Sequence, residues 1–428
     1  MTSFPKQGEV LSYAMETALG VDDATFTDIR FQQDSLTLPS HTRTLLPNPN
    51  VGHRHAYDRS DKAIPIQAFL DGGLSFSQFI RRASPANTDP PLAFFFESAG
   101  WNIARNTVTT VASYVSTTQW DLGDSGVAYG TPGEFVLVKI EDGTSSLDEF
   151  YYPVLIAAKA TDTITPGMAL PAATADTEPI EVMTTMWPRS RVVPATKTLS
   201  FFHNSRATHT TGEDLAHEFA GCALKIVGSM TLKPNEAPVL SWTFHVGVVD
   251  QQSDAIANEA FADSEKYAVV THDCRVELGN SVDAGGVARG DAILQEATVD
   301  FGFECVPRMG YGAGTLAGLQ GYVLRATQPR ITLTADYSKD YWDDVEGTNA
   351  SQYLSIVQPT SDLDTPAFAV CMPKCHIDHE NTLILDRSAD IVTCTVPYIG
   401  SVADYNSEND NDEPGAAPIY FGVSGASS

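Results

Sequence analysis

The clearest pattern along the chain is an alternation of apolar and polar positions between Glu218 and Asp250. In the first run one face collects Cys222, Leu224, Ile226, Gly228, Met230 and Leu232. After a polar break at Pro234-Asn235-Glu236, the second run places Leu240, Trp242, Phe244, Val246 and Val248 on one face. Alternation on both sides of a short turn predicts an antiparallel hairpin with one buried face. The opposite, polar face contains Lys225, Ser229, Thr231, Ser241, Thr243 and His245.

Shorter alternating runs recur through the second half of the chain. They cover Cys274–Leu278, Val299–Cys305, Ile331–Tyr337, Thr382–Leu385 and Ile391–Ile399. Runs of this length that end near prolines are typical of strands, so the pattern predicts a mainly β protein.

Three segments are candidates for helices. Leu92–Gly100 follows two prolines and ends at a glycine, although its three consecutive phenylalanines would also suit a strand. Leu74–Ala83 is the second candidate. Tyr341–Val357 is the third, with Asp343 and Asp344 favourably placed near its start.

The first half of the chain has an interrupted pattern. Phe135–Ile140 and Tyr151–Ala157 flank a turn and predict a separate hairpin. We therefore expect a first β domain formed by residues 1–110 and 194–262, with a small β module inserted at residues 111–193. A second β domain at 263–405 and an acidic tail at 406–428 complete the expected organisation, in which the two domains are a weak duplication.

The charge of the chain limits the kinds of molecule that it could bind. It has 54 acidic and 26 basic residues, a formal net charge of -28, and only 10 of the basic residues are lysines. Such a surface repels phosphate and argues against proteins that grip nucleic acid or anionic membranes. The same composition fits a halophilic host. The pattern predicts no membrane span and no signal peptide, and six scattered cysteines suggest reduced thiols.

The densest cluster of potential metal ligands is Cys371-x-x-x-Cys375-His376-x-x-His379. Four such ligands could bind zinc. Alternate residues of a strand point to opposite faces, however, which favours a strand and loop with reduced thiols. The sequence leaves the question open and predicts no cofactor.

Other motifs carry little catalytic signal. Ser125 lies in a Gly-Asp-Ser-Gly sequence like that of trypsin-like proteases, but no histidine has the matching context. His217-Glu218 lacks the second histidine of a metalloprotease helix, because Gly221 stands there. The glycine-rich run from Gly310 to Gly314 lacks the spacing of a dinucleotide site. We therefore expect that the chain is not an enzyme.

The hairpin resembles the tail tube (major tail) proteins of long-tailed phages and related tailed viruses. The resemblance rests on the short sequence Phe219-Ala220-Gly221-Cys222, with which the first alternating run begins. It extends to Glu16–Val21, to Ile64–Gly73 followed by Leu92–Trp101, and to Pro397–Gly400.

This resemblance implies a β-sandwich or half-barrel with a short packed helix. It implies a virion protein, assembled in the host cytoplasm, whose copies form stacked rings around a lumen for DNA, with other tail proteins at the tube ends. Three copies would build a pseudo-six-fold ring if both halves carry the fold, and six if one does. The polar residues of the hairpin would then face the lumen or a neighbouring sheet.

Two alternatives remain at this stage. The chain could be another virion or surface β-protein, such as a baseplate, capsid-decoration or adhesin subunit. It could also be a β-rich hydrolase with an unrecognised site.

Overall fold

The computed structural model describes the chain in separate ranges. The described residues are 9–21, 26–39, 43–47, 63–67, 70–81, 90–104, 108–116, 119–121, 132–140, 150–160, 163–167, 177–188, 197–205, 215–252, 271, 274–280, 287–288, 294–302, 304–310, 319–325, 328–337, 351–358, 367–378, 384–386, 391–401 and 417–424.

Strands dominate these ranges, which confirms the predicted mainly β fold. The strands of the first half are β1 (Glu9–Met15), β2 (Thr27–Ile29), β3 (Arg43–Pro47), β4 (Ala63–Gln67), β5 (Leu70–Phe79), β6 (Asn102–Ala104), β7 (Val108–Ser116), β8 (Gln119–Asp121), β9 (Phe135–Ile140), β10 (Phe150–Lys159), β11 (Thr163–Pro166), β12 (Thr177–Val182), β13 (Thr184–Trp187), β14 (Leu199–Ser205), β15 (Leu215–Val227), β16 (Met230–Leu232), β17 (Val239–Val246) and β18 (Val248–Gln252). One helix, α1 (Pro91–Ser98), lies between β5 and β6.

The second half continues with strands of similar length. They are β19 (Arg275–Asn280), β20 (Val287–Ala288), β21 (Leu294–Asp300), β22 (Cys305–Met309), β23 (Leu319–Leu324), β24 (Arg330–Asp336), β25 (Gln352–Gln358), β26 (Phe368–Ile377), β27 (Ile384–Asp386), β28 (Thr393–Gly400) and β29 (Tyr420–Val423).

The two halves share one strand order. The first sheet runs β2-β1-β14-β15-β17-β5, and the second contains β20-β19-β25-β26-β28-β24. The strands of the two series also follow one another in the same order along the chain. Thus β1, β2, β5, β14, β15 and β17 correspond to β19, β20, β24, β25, β26 and β28. Even the branching agrees, because β18 pairs with the first part of β15 as β29 pairs with the first part of β26. We call these two units the first and second repeats.

A separate unit is inserted in the chain between β5 and β14 of the first repeat. Strands β7 to β12 close into a six-stranded barrel in the order β10-β11-β8-β7-β12-β9. The predicted hairpin is present, since β9 pairs antiparallel with β10. The barrel packs on the second repeat, where Phe135, Leu137 and Leu155 join a buried cluster with Tyr353 and Tyr420.

The predicted helix at Leu92–Gly100 is confirmed as α1. It begins after Pro90 and ends near Gly100, whose positive φ of 91° suits glycine. Its buried rings lie in the main core, which contains side chains of both repeats. Phe96 bridges them, with ring centroids 5.5 Å from Trp242 and 5.4 Å from Phe301.

The other two helix predictions are wrong where the structure describes them. Leu74–Phe79 belongs to β5, in which Leu74, Phe76 and Gln78 are buried and the intervening residues are half-buried. That two-residue period is typical of a strand. In Tyr341–Val357, the end of the segment lies in β25, whose residues are all buried, as in a strand covered on both faces. Residues 341–350 lie outside the described ranges.

The predicted acidic tail also needs correction. Residues 417–424 are buried, and Tyr420–Val423 forms β29, which pairs with both β13 and β26. The prediction extended the acidic run to the end of the chain, although the residues after it are apolar and have high β propensity. The rest of the predicted tail, 406–416 and 425–428, lies outside the described residues.

His203 on β14 of the first repeat is buried, and its burial makes the stability of the fold depend on pH. The side chain is 2% exposed, its ring stacks on His217 with centroids 6.4 Å apart, and neither nitrogen has a hydrogen-bond partner among the described residues. Burial, and secondly the charge of His217, lowers the pKa of His203 to about 4. In the unfolded chain the pKa is about 6.5.

Stability should therefore fall as the pH drops from 6.5 toward 4, because the unfolded state then binds a proton that the folded state refuses. The expected loss at pH 4.5 is roughly 2–3 kcal/mol from this residue. Urea unfolding at pH 7 and 4.5 tests it. His203→Leu should shrink the difference between the two pH values by this amount, whereas His376→Leu, at an exposed site, should not. Equal differences in all three proteins would refute the assignment.

Candidate assembly surface

The predicted hairpin is present, but a bulge changes its faces. Strands β15 and β17 pair as Leu224↔Phe244 and Val227↔Trp242, with a register shift between Leu224 and Ile226. The extra residue, Lys225, reverses the alternation. The prediction that Ile226 lies on the apolar face is therefore wrong, since Ile226 is 44% exposed and Val227 is buried.

Helix α1 touches the chain at this bulge. Ser98 Oγ accepts a hydrogen bond from the Leu224 N–H at 3.0 Å and donates one to the Phe95 carbonyl at 2.7 Å. The side chain thus satisfies a backbone donor next to the irregular pairing. Nothing in the local alternation of the sequence indicates this contact.

The six residues predicted on the polar face have different environments. Ser229, Thr231 and Ser241 are exposed, and Lys225 and Thr243 are half-buried. The structure keeps these five on the solvent side of the sheet. The sixth residue, His245, is buried.

His245 packs against a second hairpin of the same chain. Its Nε2 lies 2.7 Å from the Cys305 carbonyl oxygen, and its ring stacks on Tyr322 with centroids 5.4 Å apart. Tyr322 in turn donates a hydrogen bond to the Gly221 carbonyl. Strands β22 and β23 therefore cover this end of β17 and remove His245 from the exposed surface. The alternation alone could not reveal a cover formed by residues sixty positions away.

The exposed face extends far beyond the hairpin. Strand β15 continues into β16, which leaves β17 and pairs with β21 of the second repeat, and β21 pairs with β24. The two sheets thus meet at β15/β16 and form one continuous surface, with the strand order β5-β17-β15/β16-β21-β24-β28. Its outward positions are dominated by serine and threonine. We call this set the hydroxyl face: Ser75, Ser77, Thr231, Ser241, Thr243, Thr298, Thr332, Thr334, Thr393 and Thr395.

Hydrogen bonds join some of these hydroxyls across strands. Ser77 Oγ and Ser241 Oγ lie 2.8 Å apart, and Thr334 Oγ1 and Thr395 Oγ1 lie 3.1 Å apart. The opposite side of the same strands contributes buried side chains such as Phe76, Trp242 and Val299 to the core. The face is thus the polar side of a sheet whose other side is packed in the core.

The described charged residues at the outward positions of these strands balance in sign, with three bases and three acids: Lys225, Lys233, Arg330, Glu296, Asp300 and Asp336. Lys233 lies 3.4 Å from Glu296, and Arg330 lies 2.7 Å from the buried Asp378. The Asp336 carboxylate accepts a hydrogen bond from Gln295 at 2.5 Å. Although the chain has a net charge of -28, the described part of this face carries mainly neutral hydroxyl groups.

The cysteine and histidine cluster is divided by the strand that carries it. Cys371 and Cys375 are buried in two different clusters, whereas His376 is exposed. Burial raises the pKa of the Cys375 thiol to about 12, so it is a poor metal ligand or nucleophile near neutral pH. Within the described ranges, no three His, Cys, Asp or Glu side chains are grouped to hold a metal ion. His379 lies outside those ranges, as do Ser125 and residues 311–318.

Comparison with known proteins adds no relative. No family model and no curated protein matches the chain. Among the described residues, no helix is long and apolar enough to cross a membrane.

Proposed function

We propose that this chain is a structural virion protein whose copies assemble into stacked rings, the tail tube through which DNA passes into the host. The observation that carries the proposal is the way in which the two repeats are joined. Strand β16 of the first repeat pairs with β21 of the second, so two copies of one topology contact each other through different elements.

A contact between unlike surfaces of like units is heterologous. Repetition of such a contact generates a ring when the rotation closes, and a filament when it does not. Closure also pairs the strand edges that an open sheet would leave exposed. The arrangement inside one chain therefore resembles two neighbouring positions of a ring, in agreement with the resemblance of the hairpin to tail tube proteins.

The size of such a ring is suitable for DNA. The six strand positions of the joined sheet become about eight when the segment Phe31–Leu38 beside β5 and strand β27 beside β28 are added, so three copies supply about 24. Strands spaced about 4.8 Å apart and tilted by about 40° then give a barrel roughly 48 Å across its backbone. Side chains reduce the lumen to roughly 35–40 Å, which admits a duplex.

The surface chemistry supports a passage that does not retain DNA. Retention requires lysine and arginine on the phosphates. The hydroxyl face offers mainly neutral groups, and the neighbouring Lys233 and Arg330 already lie against carboxylates. The net charge of -28 adds a general repulsion of phosphate. Other tail proteins would bind at the ends of the tube.

Mass photometry of the purified protein across a concentration series, at low and high salt, tests this function. Both salt levels are needed because the charge opposes association when it is unscreened. We expect a species of three times the 46.1 kDa chain mass, and longer stacks at high concentration. A monomer at every concentration and salt level would refute the proposal.

A further inference from the structure

The junction between the repeats is a defined strand pairing. Met230, Thr231 and Leu232 of β16 lie opposite Val299, Thr298 and Ala297 of β21. The four apolar side chains of this pairing are at most 2% exposed. The Lys233–Glu296 ion pair stands at the end of the junction. The pairing therefore has a packed side toward the core and a polar side on the hydroxyl face.

Each strand of this junction has a counterpart in the other repeat. Strand β16 follows β15 and precedes β17, and β27 follows β26 and precedes β28 in the same way. Strand β27 pairs with β28 through Leu385↔Cys394. By its order in the chain β27 corresponds to β16, although β16 has left β17 and pairs with β21 instead. We call β27 the trailing edge.

The counterpart of β21 is the segment Phe31–Leu38, which we call the leading edge. Strand β21 lies between β20 and β24 in the chain and pairs with the outer side of β24. The leading edge lies between β2 and β5 and bonds to the outer side of β5. Thr37 exchanges backbone hydrogen bonds with Ser75 at 2.7 and 3.0 Å, and the Gln32 N–H donates to the Ser77 carbonyl at 2.7 Å.

These two edges stand at opposite ends of the joined sheet. The order is leading edge, β5, β17, β15/β16, β21, β24, β28, trailing edge. Within the described part of the chain, no strand pairs with the outer side of either edge. A single chain thus contains one complete junction and the two separated halves of a second.

A cleft of about 540 Å³ opens beside the leading edge. Its walls include Phe31 and Leu36 together with the charged side chains of Glu9, Arg30, Asp34 and Arg81. The leading edge contains a turn at Gln33–Asp34 and one bridge to β5. A mixed apolar and charged wall beside it suits an added strand and its turn. The trailing edge offers such a strand, with a partly buried Leu385 and an exposed Asp386.

We propose that the trailing edge of one copy pairs with the leading edge of the next copy, and so reproduces between chains the β16–β21 junction found within each chain. The inference rests on the proposed function and specifies the surfaces through which the subunits of the ring join. The partner is a second copy of this chain, because the counterpart of each open edge is already seen paired with the counterpart of the other.

Cysteine cross-linking tests this pairing. Thr37→Cys is combined with a cysteine at 384, 385 or 386 in turn, and the assembled protein is oxidised and run on a non-reducing gel. Thr37 is chosen because it is exposed and bonds to β5, as Thr298 of the known junction bonds to β24. At least one combination should give covalent dimers and trimers, with no larger closed species, and reduction should return monomers.

Two controls define the outcome. Thr231→Cys with Thr298→Cys should form a disulfide inside one chain, since these residues lie opposite each other. Chains carrying only Thr37→Cys, or only the trailing-edge cysteine, should not cross-link alone, but a mixture of the two should give one dimer. Rings that form without cross-links at any of the three positions would overturn this pairing and leave the proposed function standing. Failure of the unmodified protein to form any ring would refute the proposed function itself.

Discussion

Replacing Glu16 with alanine is expected to lower the free energy of unfolding by about 3–5 kcal/mol. Glu16 is 6% exposed at the end of β1 and holds three distant segments together. One carboxylate oxygen accepts hydrogen bonds from the Gly221 N–H at 2.6 Å and from Ser200 Oγ at 2.8 Å. The other accepts from the Gly20 N–H at 2.7 Å and from Thr198 Oγ1. Alanine leaves these buried donors without an acceptor.

Chemical denaturation of the wild type and the variants measures this effect. Glu16→Gln should also destabilise, because its amide NH₂ replaces one acceptor oxygen and would face donors. The matched control is Glu304→Ala, whose ion pair with Arg325 at 3.0 Å lies between half-exposed side chains. Its cost should be at most about 1 kcal/mol. A Glu16→Ala variant no less stable than Glu304→Ala would contradict the assigned role.

The second large effect is expected at Phe95, in the middle of α1. Its ring is fully buried and touches five other aromatic rings, with centroid distances from 5.2 to 6.1 Å. These rings come from β1, β5, β14 and β17, so Phe95 fastens the helix to the sheet behind the hydroxyl face. Phe95→Ala should cost about 3–5 kcal/mol through lost contacts and a residual cavity.

The neighbouring Phe94 provides a matched control on the same helix. It is only half-buried and contacts Tyr13 at 5.5 Å. Phe94→Ala should therefore cost less than half as much as Phe95→Ala in the same denaturation experiment. Equal losses at the two positions would mean that loss of phenylalanine from the helix, and not the aromatic cluster, determines the effect.

The sequence predicted the features that depend on local pattern. Two-residue alternation located the strands that contain Trp242 and Phe244, and the prolines before Leu92 located α1. The error in the faces of the hairpin arose where a pairing partner decides the structure. The bulge at Lys225 depends on how β15 meets β17, and no property of the strand itself marks the position.

The candidate surface shows the same division. Five of the six predicted residues remain on the solvent side. For Ser241 and Thr243 this follows from the regular alternation of β17, which is a local property of the strand. His245 is lost from the surface because Tyr322 and the Cys305 carbonyl cover it from a distant hairpin. The threonines of β21, β24 and β28 share a surface with the hairpin only through the β16–β21 pairing, which joins strands that are far apart in the sequence.

The duplication was weakly predicted for a related reason. The two repeats share strand order and branching, but no motif of the sequence recurs in recognisable form. Topology constrains where apolar positions fall and leaves the identity of each residue free. Strand order therefore reveals a similarity that comparison of the residues alone does not.

Cryo-electron microscopy of the assembled protein tests the central claim most directly. A reconstruction should show three chains per ring, in a barrel of near six-fold symmetry, with Ser241, Thr298 and Thr334 of the hydroxyl face lining the channel. A particle in which these residues lie on the outer surface, or in which no channel exists, would contradict the account.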